Sequence, residues 1–340
     1  MKRIFIFFLT IFILGACEID TKNPVNNGYE ITYENCGIGK EVDKVIGADT
    51  IKELPVLFSD EYKFLGWYKD LKFTIKANID EKIETDITLY AKWEKFDFSE
   101  LLEFSLSLDG TYYILRSCVS DSNELYIPAT YKGLPVKEVE GLMGKSYEMI
   151  YIPSSVEVLN DKSFSNMPTL KTIVIGSGLR EVSKYALCNV PKLESIVIDP
   201  DNIYFDSAEG VNAIIDKATN TLVKGCKSSV IPNGVKIIER YAFYGCKELE
   251  YIILPETVEV IKEYAFYNCL ELKWIVLPKM LTTIGESAFF YCGMLKTIYN
   301  NSSISFAIGD ISNGFIALKA SNIYNIGEWS FVNGTPTPNN

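Results

Sequence analysis

The strongest pattern along the chain is a set of apolar positions that returns every 23 residues in its C-terminal half. Four columns, of proline, phenylalanine, cysteine and leucine, keep this interval over three successive units. Their members are Pro232, Pro255 and Pro278; Phe243, Phe266 and Phe289; Cys246, Cys269 and Cys292; and Leu249, Leu272 and Leu295. A fixed period of this kind is typical of a solenoid, because each unit can bury its apolar side chains only by stacking on its neighbours.

The apolar spacing inside one unit predicts a short strand. Leu249, Ile252 and Leu254 follow an L-x-x-I-x-L pattern. Since successive side chains of a strand point to opposite faces, Ile252 and Leu254 should face the core, whereas Tyr251 and Ile253 should face outward. A proline ends this strand, and the apolar residues after it should fill the opposite wall of the coil.

The whole unit, I-P-x-x-V-x-x-I-x-x-x-A-F-x-x-C-x-x-L, resembles the BspA-like, or Treponema-type, leucine-rich repeat over about residues 109–300. The resemblance implies a β-rich leucine-rich-repeat solenoid with short irregular or helical segments on its convex side. It also implies a role in adhesion or in binding at a bacterial cell surface. The predicted solenoid spans residues 109–302.

Two stretches depart from the period. The interval from Asp199 to Pro232 is longer than 23 residues, and its two apolar runs predict a β-hairpin insertion near residues 200–230 that bulges from the solenoid. Residues 303–340 lose the period, which predicts a C-terminal cap and tail.

A different pattern precedes the repeats. Residues 29–33 and 87–93 alternate apolar and polar positions, as half-buried strands do. Together with the Phe64-Leu65-Gly66-Trp67-Tyr68 segment, they resemble the internalin-type B repeat, also called the Listeria–Bacteroides repeat. A departure is Asn35-Cys36-Gly37, where that family usually has an N-G-G turn. The resemblance implies a small β-grasp-like module over residues 29–95 that acts as a stalk or spacer, followed by a linker at residues 96–108.

Core packing is the favoured interpretation of the aromatic residues Trp67, Tyr68 and Trp93 of this module, ahead of a ligand platform.

The N-terminal sequence predicts a secretion signal and a membrane anchor. Basic residues and an apolar run ending at Leu14 are typical of a secretory signal peptide, here residues 1–16. Leu14-Gly15-Ala16-Cys17 resembles the bacterial lipobox, which implies lipidation of Cys17. Residues 17–28 are polar and are interpreted as a tether. The predicted location is the cell surface, lipid-anchored to a bacterial membrane.

The amino-acid composition limits the classes of partner and of activity that the chain is expected to have. The net charge of -11 argues against nucleic acid as a partner. The absence of histidine removes the usual general base, so we expect no enzyme, no catalytic residues and no cofactor. A carboxylate-dependent glycosidase is the remote alternative.

No metal site is expected either, because the cysteines lack zinc spacing and the repeated ones should be buried thiols. Asp199, Asp201 and Asp206 follow no calcium-loop pattern, so solvated carboxylates are the favoured interpretation.

The outward strand positions of the last three coils are the candidate binding residues. They become aromatic towards the C-terminus, and they are Tyr251, Ile253, Trp274, Val276 and Tyr299. Exposed aromatic groups are typical of binding hot spots, so the expected partner is a protein or glycan ligand outside the cell. The alternative is that the hairpin or the C-terminal cap covers this strip, which would favour a structural spacer or envelope scaffold.

Overall fold

A computed structural model describes residues 28–96, 101–119, 122–206 and 210–339. The predicted signal peptide, and Cys17 with it, lie outside the described residues. The described chain is almost entirely β-structure, with one short 3-10 helix at Asn313–Phe315. The predicted β-rich class is confirmed. Among the residues that the structure describes, no helix has the length and apolar composition needed to cross a membrane.

The N-terminal module is a four-stranded sheet with the order β2-β1-β4-β3. The strands are β1 (Tyr29–Glu34), β2 (Val45–Ala48), β3 (Tyr62–Tyr68) and β4 (Ile87–Lys95). The central pair is parallel and the outer pairs are antiparallel. Trp67 is fully buried, packs edge-on against Tyr33 with ring centroids 4.9 Å apart, and donates Nε1–H to the Pro55 carbonyl at 2.8 Å. Core packing is therefore confirmed for Trp67, whereas Tyr68 and Trp93 are half-buried.

The solenoid follows as a series of short strands. Its first half contains β5 (Leu101–Leu106), β6 (Tyr113–Val119), β7 (Glu124–Tyr126), β8 (Thr130–Tyr131), β9 (Leu134–Val139), β10 (Met149–Ile152), β11 (Val158–Leu159), β12 (Thr172–Ile175), β13 (Glu181–Val182) and β14 (Ser195–Ile198). Its second half contains β15 (Phe205–Asp206), β16 (Ala213–Asp216), β17 (Thr221–Gly225), β18 (Ile237–Ile238), β19 (Tyr251–Ile253), β20 (Val260–Ile261), β21 (Trp274–Leu277), β22 (Thr283–Ile284), β23 (Thr297–Asn300), β24 (Asn322–Tyr324), β25 (Trp329–Val332) and β26 (Thr335–Pro338).

One wall of the solenoid, which we call the front sheet, carries the L-x-x-I-x-L strands. It consists of β7, β10, β12 and β14, and then of β19, β21, β23 and β24, all paired in parallel. The register advances by one period per strand, so that Tyr251 pairs with Trp274 and Trp274 pairs with Thr297. Outward residues of successive coils therefore form straight columns.

The opposite wall combines the expected short irregular segments with regular strand pairing. Short parallel strands line it, including β11 with β13 and β18 with β20 and β22. Two residues per coil, such as Val158 and Leu159, align with the next coil closely enough for their backbone groups to pair. Because stacked coils repeat at strand spacing, pairing on this wall satisfies backbone groups that irregular chain would leave to water.

Stacked identical side chains fill the core of the second half. Phe243, Phe266 and Phe289 lie face to face with centroids 4.9 and 5.0 Å apart. The thiols of Cys269 and Cys292 are buried and donate to the carbonyls of Phe243 and Phe266, at 3.2 and 3.1 Å. The prediction of buried thiols is confirmed, and burial raises the pKa of the Cys269 thiol well above its usual value.

The predicted hairpin exists, because β16 and β17 pair in antiparallel fashion. It does not bulge from the solenoid. Strand β17 pairs in parallel with β18, while Ile214 packs in the core of the first half and Leu222 in the core of the second. Both strands carry apolar side chains on faces that meet a core, so burial draws the hairpin into the stack.

Strand pairing continues beyond both predicted boundaries of the solenoid. Strand β5 lies within the predicted linker at residues 96–108, yet it pairs with β6. At the other end, β24 continues the front sheet beyond residue 302, and only the β25–β26 hairpin forms a separate cap. The terminal strands lack the repeated side chains but keep the backbone pairing, so the side-chain period does not extend to them.

Candidate functional site

The outward face of the front sheet is covered at its N-terminal end by the β-grasp-like module. Phe96, which directly follows the last strand of the module, stacks on Tyr126 at 4.5 Å and packs against Tyr151 at 4.8 Å. Phe96, Tyr151 and Val174 form one buried cluster with partly buried residues of both domains. Burial raises the pKa of the Tyr151 hydroxyl to about 12. This part of the sheet face is therefore closed to a ligand.

Polar contacts complete the junction between module and solenoid. The Ser59 N–H donates to the Tyr151 hydroxyl at 3.2 Å, and the Ser154 N–H donates to Asp60 Oδ1 at 2.8 Å. Lys63 Nζ pairs with Glu124 at 2.7 Å. These contacts hold the module in a defined orientation on the solenoid.

Asp199 lies at the same junction and is less solvated than expected. Its side chain is partly buried, and this burial is the largest cause of a raised carboxyl pKa. The charges of Asp201 and Asp60 raise the pKa further, while the Asp201 N–H and Lys40 lower it. Lys40 of the module in turn pairs with Asp201 at 2.6 Å.

The C-terminal cap covers the other end of the front sheet. Trp329 of β25 packs against Tyr299 with ring centroids 5.1 Å apart, and Tyr324 stacks on Tyr299 at 5.5 Å. Val276 and Tyr299 are left only 3% and 8% exposed. Two of the five predicted binding residues are thus inaccessible. They point outward as expected, but a hairpin more than twenty residues further along the chain folds over them.

Between the two covered ends, the other predicted residues remain accessible. Tyr251 is 54% exposed, Ile253 is 37% exposed and Trp274 is half-buried. The rings of Tyr251 and Trp274 stack with centroids 4.6 Å apart and planes 9° from parallel.

Sequence reasoning missed Val230, which is 65% exposed and lies one period before Ile253. The period itself could have placed it. We call Val230, Tyr251, Ile253 and Trp274 the aromatic floor.

A groove lies between the module and β14, one coil before Ser228 and Val230. Its volume is about 370 Å³, and its lining includes Val56 and Phe58 of the module and Ser195 and Val197 of β14. The module therefore forms a wall beside the open part of the front sheet, and the cap stands at the other end. The result is a shallow recess with an apolar base.

The charges at the edge of the floor are paired. Lys227 Nζ lies 3.1 Å from Glu194 and 3.0 Å from Glu248, and Lys273 Nζ lies 2.9 Å from Glu250. Glycoside hydrolysis requires one protonated carboxyl group and one free carboxylate beside the bound sugar. Carboxylates neutralised by lysines are unlike that arrangement. Among the described residues, no group of three or more Asp, Glu or Cys side chains is placed to hold a metal ion.

A buried lysine inside the solenoid was also missed. Lys224 is 1% exposed, and its Nζ donates to the carbonyls of Lys184 at 2.7 Å and Tyr241 at 3.2 Å, with the Cys188 Sγ 3.5 Å away. Burial lowers the pKa of Lys224. Its ammonium group satisfies two carbonyls where the hairpin interrupts the regular stacking of coils, which is a structural role.

A second aromatic column runs along the opposite edge of the coils. Tyr241 stacks on Tyr264 at 5.2 Å, and Tyr244 stacks on Tyr267 at 4.9 Å. All four are half-buried against one another. Their spacing of 23 residues was visible in the sequence, but only the structure shows that they form a continuous column.

Comparison with known families supports both resemblances. A model described as BspA type Leucine rich repeat region matches residues 141–208 and 220–336 in six copies. A model of the Listeria-Bacteroides repeat domain matches residues 29–92. No curated protein matches the chain.

Solved structures of several bacterial repeat proteins are also similar. A leucine-rich repeat protein of T. pallidum is 20% identical, with 66% of this chain and 79% of that chain covered and a TM-score of 0.27. One from Eubacterium ventriosum ATCC 27560 is 16% identical, with 66% and 82% covered and a TM-score of 0.39. A leucine-rich cell surface protein of Faecalibacterium prausnitzii A2-165 is 17% identical, with 68% and 94% covered and a TM-score of 0.29.

Proposed function

Because the chain belongs to the BspA-type leucine-rich repeat family, we propose that it is a binding protein of a bacterial cell surface that holds its ligand on the aromatic floor. Proteins of this repeat class are in general binding or scaffold proteins, and neither the family nor the paired carboxylates point to an enzyme. The single observation that carries the proposal is the stacked pair formed by the exposed Tyr251 and the half-buried Trp274.

Exposure of this pair is the reason to assign it a ligand. Elsewhere on the front sheet the outward apolar residues are covered, by the module at Val174 and by the cap at Tyr299. Burying an aromatic side chain contributes about 1.5–3 kcal/mol, so an apolar patch left open between two covered regions is typical of a binding surface.

We place this surface outside the cell on the evidence of the N-terminal sequence. Lipidation of Cys17 would anchor the chain to a membrane and carry the solenoid away from it on the tether and module. Cys17→Ser should move the protein from the membrane fraction to the soluble fraction and abolish incorporation of labelled fatty acid. Unchanged incorporation in this variant would contradict the assignment of Cys17.

A structural spacer is the second candidate, and one observation favours it. The module and the cap together cover most of the outward aromatic residues, as a scaffold without a ligand would permit. The two candidates differ in what the remaining exposed residues do, so a substitution on the floor distinguishes them.

We predict that Trp274→Ala weakens binding of the protein to host cells or matrix proteins at least tenfold, because it removes half of the stacked pair. A factor of ten corresponds to about 1.4 kcal/mol, which is within the range for one aromatic hot-spot residue. Binding is measured by surface plasmon resonance and folding by circular dichroism. The control is Tyr291→Ala, which removes a 57% exposed aromatic residue outside the front sheet. Equal binding by both variants, with folding unchanged, would favour the spacer.

A further inference from the structure

The aromatic stack on the floor ends abruptly at Tyr251. Trp274 covers one face of the Tyr251 ring, and no other described aromatic ring contacts it. One period earlier, the column continues with Ser228, which is exposed and small. The Tyr251 ring is nearly parallel to the Trp274 ring. Its second face is therefore directed to the space above Ser228.

The coil that carries Ser228 does stack in register beneath β19. The Gly234 N–H donates to Thr257 Oγ1 at 3.0 Å, one period apart, and Lys227 pairs with Glu248 across the same boundary. The Ser228 hydroxyl donates to the Glu194 carbonyl of the neighbouring coil, which turns the side chain away from the Tyr251 ring. The backbone of a coil is present at this position, but no side chain fills the space beside the Tyr251 ring.

Size excludes a broad protein interface at this position. The open face extends from β14 to β21, three strand spacings or about 14 Å, and each strand is about four residues or 13 Å long. This area of about 200 Å² is far below the roughly 800 Å² that each partner buries in a stable protein complex. The partner that fits between the module and the cap is therefore narrow.

The charged side chains at the edge of the floor indicate which kind of narrow ligand can bind there. The ion pairs at the edge of the floor contain three carboxylates, those of Glu194, Glu248 and Glu250, and two ammonium groups, those of Lys227 and Lys273. These ion pairs carry one more negative than positive charge, because Glu194 and Glu248 share Lys227, and the net charge of the whole chain is also negative. An acidic ligand would be repelled, and a neutral one would not.

We propose that the floor binds a neutral glycan, with one pyranose ring stacked on the free face of Tyr251 above Ser228; the inference rests on the proposed function. A pyranose with equatorial substituents has a flat face of C–H groups that matches an aromatic ring. The exposed Val230 and Ile253 extend the apolar contact along the neighbouring column. Glu250 and Lys273 lie at the edge of the floor, where their charged groups can hydrogen-bond sugar hydroxyls.

The test uses the purified full chain and a panel of neutral pyranose oligomers, namely cellohexaose, xylohexaose and N-acetylchitohexaose. Isothermal titration should detect binding of at least one. An acidic oligogalacturonate of the same length should bind at least tenfold more weakly. Tyr251→Ala should weaken binding of the neutral oligomer at least tenfold, since the stacking face is lost.

A second variant separates stacking from general damage to the floor. Ser228→Trp places a ring against the free face of Tyr251 and should abolish glycan binding while Tyr251 and Trp274 remain in place. Tyr291→Ala, outside the front sheet, should bind as the parent does.

The inference is overturned if none of the neutral oligomers binds, or if Ser228→Trp binds as tightly as the parent. Should glycan binding be absent while Trp274→Ala still weakens attachment to cells or matrix proteins, the glycan is wrong and the proposed binding function stands. Should glycan binding be absent and Trp274→Ala attach to cells and matrix proteins as the parent does, the glycan and the proposed binding function are both wrong.

Discussion

At the scale of single residues, the same outward orientation leads to different environments. Tyr251 and Tyr299 both point away from the core of the solenoid, yet only Tyr251 is accessible, because Trp329 lies against Tyr299. Asp199 shows the same dependence on its neighbours, since a loop carboxylate becomes half-buried when the module docks beside it. The solvent exposure of an outward residue therefore depends on which segments pack onto it and does not follow from the residue type.

Asp199→Asn should stabilise the protein at pH 7. The raised pKa of Asp199 means that the folded state disfavours the ionised carboxylate, so stability falls as pH rises from the usual pKa of 3.8 through the raised value. The substitution removes the charge but keeps an oxygen that can accept the 2.9 Å hydrogen bond from the Asp201 N–H. We expect a rise in melting temperature of about 1–2 °C at pH 7 and a smaller rise at pH 3.5, where the carboxyl group is mostly protonated in both states.

The matched control is Asp206→Asn, which makes the same change of charge at an exposed aspartate. Differential scanning calorimetry at the two pH values measures both variants. An equal gain for Asp199→Asn at pH 7 and pH 3.5 would contradict the assigned cause.

At the scale of elements, the β16–β17 hairpin connects the two halves of the solenoid. Its two strands place Ile214 in one core and Leu222 in the other, and β17 continues the wall that β18 and β20 extend. Gly225 at the end of β17 lies against the first phenylalanine of the core column. The junction is therefore closely packed at the point where the sequence period is interrupted.

Gly225→Ala should destabilise the solenoid by about 1–3 kcal/mol, the usual range for overpacking a core. A Cβ at residue 225 would lie 2.2 Å from Phe243 Cε1, and Phe243 cannot retreat because it stacks on Phe266. Equilibrium unfolding in guanidinium chloride measures the loss. Gly293→Ala, with no atom near its Cβ, should change stability by less than about 0.5 kcal/mol. Equal stability of the two variants would show that the junction is loosely packed.

At the scale of the whole molecule, the module and the cap define the open surface. The module stands on the N-terminal half of the front sheet, the cap on its C-terminal end, and the aromatic floor lies between them. The solenoid alone would expose a long apolar strip. Docking of the module and the cap reduces that strip to a recess of a size suited to a narrow ligand.

Phe96→Ala should release the module from the solenoid without unfolding either. Phe96 is the buried aromatic residue between Tyr126 and Tyr151, and removal of a buried phenylalanine side chain costs about 3–5 kcal/mol. Small-angle X-ray scattering should show a larger radius of gyration while circular dichroism stays unchanged. Ile46→Ala, at an exposed position of β2, should leave the radius of gyration as it is. A compact Phe96→Ala variant would mean that the polar contacts alone hold the module.

The local sequence pattern determines much of the fold. The 23-residue columns predict the solenoid, the inward and outward faces of its strands and the buried thiols, because a period in sequence becomes a column in space once coils stack. The alternating strands and the Trp67 segment likewise predict the module. These features depend on neighbours in sequence or on the next coil, which the sequence itself places.

Only the tertiary structure decided which outward residues stay accessible. Trp329 covers Val276 and Tyr299, Phe96 covers Tyr151 and Val174, and the hairpin enters the core. Each of these contacts joins segments that share no period, so no spacing in the sequence records them. Side-chain direction follows from the strand itself, whereas exposure follows from the burial of apolar area between distant segments, and that is settled only when the whole chain is folded.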